Sequence, residues 1–213
     1  MKNVDSTTPS AEPPYDTDGL RVQARETVQK LKRDPVAVLK VALSERSRGN
    51  LFLAYELFRA CPAAAVAAKP AEIQKLAVGM NDWCSVDCYA SFVSGVAWRE
   101  GVVDDEFIHR WTKSKDRWYR RAALVSTVPF NLTARGATAP KGEAPKTLAV
   151  CELLLDDRDD MVVKAMSWAL RTLAAKDAAS VKAFAKKHDA QLAARVKREL
   201  TNKLKTGLKN PKK

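Results

Sequence analysis

Isoleucine occurs twice in the 213 residues, histidine twice and glycine eight times, and each scarcity closes off a class of structure or chemistry. Alanine by contrast occurs 33 times, and the apolar residues recur at spacings of three and four rather than two, so helix is expected and sheet is not. With only His109 and His188, and with neither a glycine-rich phosphate loop nor a nucleophile elbow, Ser–His chemistry and nucleotide hydrolysis have little support. No apolar run approaches the roughly 20 residues that a membrane span needs, and the N-terminus is polar and acidic, unlike a signal peptide. The four cysteines (Cys61, Cys84, Cys88, Cys151) read as reduced thiols of a cytoplasmic protein rather than a disulfide framework. Cys84 and Cys88 stand one helical turn apart, but no nearby third ligand completes a metal site, so structural thiols are favoured and neither metal nor cofactor is expected.

What the chain has in excess is positive charge. Against 25 Asp and Glu stand 37 Lys and Arg, a net of +12 that favours a polyanionic partner, either nucleic acid or an acidic membrane surface. The surplus is uneven. Residues 1–20 sum to −3, which leaves +15 for the rest, and residues 178–213 hold 11 basic side chains against 2 acidic ones. Residues 1–18, rich in Pro, Ser and Thr, read as a disordered acidic leader. Residues 19–207 read as one domain and 208–213 as a basic tail, which serves either solubility or a grip on phosphate.

Breakers at Pro35, Gly49, Pro62, Pro70, Asn81-Asp82, Gly101, Asp116, the loop from Pro129 to Pro145, Asp156 to Asp160, and Asp177 divide the domain into roughly ten helices. Two segments echo each other 44 residues apart. Asp116-Arg-Trp-Tyr-Arg120 and Asp160-Met-Val-Val-Lys164 each begin on an acid, carry a base four residues on, and enter a helix. That period falls in the range of paired-helix repeats, so the expected fold is all-α, a HEAT-like helical repeat solenoid: a curved right-handed stack of antiparallel helix pairs.

Three of these helices carry residues that packing within a repeat does not explain. At 100° per residue, Val86, Tyr89, Ala90, Val93, Val96 and Ala97 share the apolar arc of one helix. Trp83, Asp87, Ser91, Ser94 and Trp98 then fall on the other side, either beneath a neighbouring helix or facing a ligand. Lys164, Trp168 and Arg171 form a second stripe opposite Val163, Met166, Leu170 and Leu173. This stripe suits either a DNA-facing surface or an internal cation–π stack. Arg121 projects into the apolar arc of its helix with Arg120 at the edge. A guanidinium at 121 needs an anion, supplied either by an internal Asp–Arg ladder or by a bound phosphate.

The runs Asn81-Asp82-Trp83-Cys84-Ser85-Val86-Asp87, Trp118-Tyr119-Arg120-Arg121-Ala122-Ala123 and Lys164-Ala165-Met166-Ser167-Trp168-Ala169-Leu170-Arg171 together resemble the bacterial AlkD-like DNA alkylation repair proteins. The likeness covers roughly residues 35 to 205. It implies a solenoid whose concave basic face cradles duplex DNA, and a monomeric glycosylase that releases N3- and N7-alkylated purines without a cofactor. By motif position, the resemblance makes Asp87 the catalytic carboxylate and Trp83 and Trp168 the indoles beside the lesion. It makes Arg121 a cleft arginine that meets the DNA backbone, and Arg171 a further basic cleft position. Arg120, Lys164 and Trp98 complete the expected DNA-binding set. The sequence departs from the family in two places. The leader, with Tyr15, stands where the family carries an additional N-terminal helical region, and Arg48-Gly49-Asn50-Leu51 stands where a basic residue within the helix is common. Two other readings remain: a non-catalytic helical-repeat module that binds DNA or protein, and a membrane-surface binder supported by net charge alone.

Overall fold

The computed structural model describes residues 15–132 and 143–211, and among these every regular element is a helix. In chain order these are α1 (Thr17–Lys30), α2 (Pro35–Ser47), α3 (Leu51–Ala60), α4 (Ala63–Ala67) and α5 (Pro70–Ala77). Next come α6 (Trp83–Tyr89), a π-helical turn (Ala90–Ser94) and α7 (Gly95–Arg99), which form one continuous rod. After it follow α8 (Asp105–Thr112), α9 (Arg117–Val125), α10 (Val128–Asn131), α11 (Ala144–Leu153), α12 (Asp160–Ala174), α13 (Ala178–Lys187) and α14 (Ala194–Thr206). The leader and the last two residues of the tail lie outside the described residues, apart from residues 15–18. There Asp16 caps α1 and Thr17 already begins it, two residues before the boundary read from sequence.

Aspartate starts seven of these helices. Asp16, Asp34, Asp82, Asp104, Asp116, Asp159 and Asp177 each occupy an N-cap and accept from backbone N–H groups of the first turn. These bonds satisfy donors that the helix itself leaves free. The cap of α12 is Asp159, one residue before the acid picked out by the sequence echo, and Asp160 instead pairs along the helix with Lys164. The two echoing helices are neighbours in space, α9 packing on α12.

Contacts run in two rows. α1 packs on α3, α3 on α6, α6 on α9, α9 on α12 and α12 on α14, so alternate helices form one continuous layer. A second layer is built from α2, packed on α3 and α5, and from α8, α11 and α13, joined in turn. The core between the layers includes Tyr55, Phe58, Ile73, Leu76, Tyr89, Ile108, Leu124 and Leu170. The two tyrosines satisfy their hydroxyls on the Leu76 and Ile73 carbonyls at 2.7 and 2.9 Å.

The rod that runs from α6 through α7 departs from the sequence expectation. Gly95 N–H bonds to the carbonyl of Ala90, five residues back, and such a turn lags the 100° rotation of an α-helix. Ser94, at its end, and Trp98, beyond it, are rotated inward. Ser94 is buried against Ser126, with 2.7 Å between hydroxyls. Trp98 is 3% exposed, edge-on to Phe130, and its indole N–H donates to Asp105 at 2.7 Å. Trp98 is therefore a core residue, and its expected place on a DNA-binding face is corrected.

Candidate nucleic-acid cleft

The face of the first layer opens into a cleft of about 590 Å³ whose lining includes Trp83, Asp87, Phe92 and Trp168. Asp82 sets the start of α6, accepting from the N–H groups of Cys84 and Ser85 at 2.9 Å each, and from the Ser85 hydroxyl. Tyr15 donates its hydroxyl to Asp82 Oδ1, the oxygen that takes the two N–H groups, at 3.2 Å, with its ring against Phe52. One residue after this cap stands Trp83 and one turn later Asp87, so the capped end of α6 fixes where the indole and the carboxylate project. Trp168 reaches the same cleft from α12, on the half-buried stripe that it shares with Lys164 and Arg171.

Asp87 is held by Arg121. The guanidinium donates from Nε to Oδ1 at 2.8 Å and from Nη2 to Oδ2 at 2.6 Å, a bidentate pair, while Nη1 donates to the Met161 carbonyl at 2.6 Å. The Asp87 side chain remains 18% exposed and that of Arg121 only 7%. Burial pushes the Asp87 carboxyl above the usual carboxylate range, and the charge and hydrogen bonds of Arg121 oppose the shift. Of the two partners open to Arg121 at the sequence level, the ladder is the one observed. In this structure the guanidinium is committed to Asp87 and to a carbonyl.

The other expected cations are likewise engaged. Arg120 bonds Asp157 at 2.6 Å and the carbonyls of Ser114 and Lys115 at 2.9 Å, so it is no free surface base. Lys164 pairs with Asp160 at 2.7 Å, and Arg171 donates to the Ser167 hydroxyl at 3.2 Å beside the buried Glu199. The arginines that line the cleft are others, Arg21, Arg59 and Arg99, together with a second carboxylate, Glu56, which is 3% exposed. Their signal was present in the sequence. Phe52, Glu56 and Arg59 are spaced four and three apart, and Glu56 and Arg59 are the charged residues of an otherwise apolar α3.

Cys84 and Cys88 also line the cleft, with burial pushing both thiols up, Cys88 well above the ordinary value. Neither is poised as a thiolate nucleophile. Among the described residues no group of three or more His, Cys, Asp or Glu could hold a metal ion, and no helix is long and apolar enough to cross a membrane.

Across residues 16–204 the sequence matches the family model described as DNA alkylation repair enzyme. The chain belongs to that family. Comparison with curated proteins and with solved structures gives no match. As a DNA alkylation repair family member, the chain is assigned to alkylation damage as the problem and to DNA as the substrate. The match begins at Asp16, so it takes in α1 and its cap, ahead of the stretch over which the sequence motifs alone carry the likeness.

Proposed function

We propose that this chain is a monomeric cytoplasmic DNA glycosylase that releases cationic N3- and N7-alkylated purines from duplex DNA. In this reading the two helical layers are a HEAT-like solenoid, and its inner layer is the DNA-facing one. The observation that carries the proposal is a carboxylate, Asp87, pinned in an open cleft that two indoles also line.

The chemistry suits so sparse a site. An alkylated purine carries a positive charge, so when the glycosidic C–N bond breaks, its electron pair leaves with a neutral base and little acid assistance is needed. The positive charge passes to the sugar. Asp87 stabilises that cation directly and orients water for attack at the same carbon, the proton of the water passing to solvent. Trp83 and Trp168 add the attraction of their ring faces for a cation. Arg121 is the positioning residue: its two bonds fix the plane of the carboxylate, and each oxygen keeps a second lone pair.

A second reading, a DNA-binding module without catalysis, draws on the same geometry, since both Asp87 oxygens already accept from Arg121. Base release separates the two. The expected outcome is that the chain frees N7-methylguanine or N3-methyladenine from methylated duplex DNA and that Asp87→Asn lowers the rate at least a hundredfold (about 10² or more for loss of a key electrostatic group). Full activity in Asp87→Asn, or DNA binding without any release, would overturn the glycosylase assignment.

A further inference from the structure

We propose that Arg21 and Arg59 form a clamp for one DNA phosphate at the α1–α3 side of the cleft, with Glu56 as the buried residue that positions both. The proposal rests on the reading that this cleft receives duplex DNA. Glu56 Oε1 accepts from Arg21 Nε at 3.3 Å and from Arg59 Nη1 at 3.4 Å, and the Cys88 thiol lies 3.5 Å from the same oxygen. Each guanidinium is also set over an aromatic ring, Arg21 over Phe52 at 5.8 Å and Arg59 over Phe92 at 5.3 Å. Two long, flexible side chains are thus held at the cleft wall before any ligand arrives.

A buried ion pair adds little to stability over an apolar pair of the same shape, so fold stability alone does not account for a charge at position 56. Its effect is geometric. Arg21 Nη2 and Arg59 Nε and Nη2 have no protein acceptor among the described residues, and both side chains keep substantial exposure, 34% and 47%. One carboxylate between two guanidiniums leaves a positive charge uncompensated. Asp18, which also pairs with Arg21, is 91% exposed, and solvent screens its contribution. Planar N–H groups with a net positive charge match a phosphodiester. Along the inner layer α1 and α3 lie on one side of α6, and α9 and α12 on the other. The clamp and Trp168 therefore approach Asp87 from opposite sides.

The test is affinity for an undamaged duplex, read by fluorescence anisotropy across a sodium chloride series, for the native chain, Arg21→Ala, Arg59→Ala and the double variant. Each single substitution is expected to lower affinity about tenfold, as loss of a charge-assisted hydrogen bond does. Each should also flatten the slope of log affinity against log salt by about 0.9, the value of one neutralised phosphate. Because the two arginines share one phosphate, the double variant should flatten the slope scarcely further. Lys182→Ala, an exposed base on α13, should keep the native slope. Arg59→Gln, which keeps a polar side chain and loses the charge, should behave as Arg59→Ala and guards against a folding defect. Native slopes in the arginine variants, or equal flattening by Lys182→Ala, overturn the clamp while leaving the glycosylase reading standing. A native chain without salt-dependent affinity for the duplex overturns both.

Discussion

Asp87 is a carboxylate under two opposed influences, and the balance is measurable. Burial raises its pKa from the ordinary 3.8 and Arg121 pulls it back, so the ionised form is lost on acidification at a pH above that of a free aspartate. If the ionised carboxylate supports base release, the single-turnover rate should fall as pH drops through this raised midpoint and level off above it. Arg121→Ala removes the opposing cation. The acid limb should then move upward by about one unit or more, the usual effect of an adjacent opposite charge, and Arg121→Lys should return it part of the way. A limb that stays in place in Arg121→Ala would show that Arg121 does not act through Asp87. Loss of folding alone does not move a limb. Sequence periodicity placed Arg121 on an apolar arc and so demanded a partner. The choice of partner depends on Asp87 and the Met161 carbonyl, 34 and 40 residues away, and a helical wheel holds no such information.

At the scale of elements, the helical wheel reads α6 correctly up to the π turn and fails after it. Trp83 and Asp87 keep their cleft-facing phase, whereas Ser94, at the end of the turn, and Trp98, beyond it, are carried into the core. Gly95 shows what the turn requires. A Cβ there would lie 2.6 Å from the Ala90 carbonyl, 2.7 Å from that of Ser126 and 2.8 Å from the Pro129 ring, so backbone and a rigid ring leave no room for one. Gly95→Ala should destabilise the fold by at least ~1–3 kcal/mol, the range for overpacking a tight core, seen as a lower midpoint in thermal unfolding. An unchanged midpoint would mean that the rod and α10 can separate freely. The stripe on α3 escapes a helical wheel for a different reason. Its apolar residues are so dense that the helix reads as core on every side, although Phe52, Glu56 and Arg59 follow the same spacing of four and three as Lys164, Trp168 and Arg171.

For the whole molecule, the net charge of +12 acquires a structure. Many acids are spent at helix starts as caps, and others, Glu56, Asp87 and Glu199, sit in or beside the inner layer, each against an arginine from a neighbouring helix. Much of the remaining positive surface repels itself. Added sodium chloride, up to a few tenths molar, should therefore raise the thermal midpoint by screening that repulsion while lowering affinity for DNA. Two salt responses of opposite sign in one protein are the expected result. A midpoint that falls with salt would mean that the ion pairs, not the surplus, dominate. All-helical architecture and the helix starts capped by aspartate were legible because alanine content, apolar spacing and aspartate caps are local properties, whereas α10, inside the stretch read as a loop from Pro129, was not. The pairing of the cleft's arginines was not legible, because which donors are taken and which are left is settled only when the layers meet.

The side chain of Arg121 binds Asp87 on α6 from its own helix, α9, and takes the carbonyl of Met161 at the start of α12. It is in effect a strut across three successive helices, and the two cleft indoles stand on the outer two of them. The spacing between Trp83 and Trp168 is thus braced from within. On the proposed reading, a duplex that enters would meet a jaw of set width, so the bending needed for a close fit would fall on the DNA, where a weakly stacked, damaged step yields most easily.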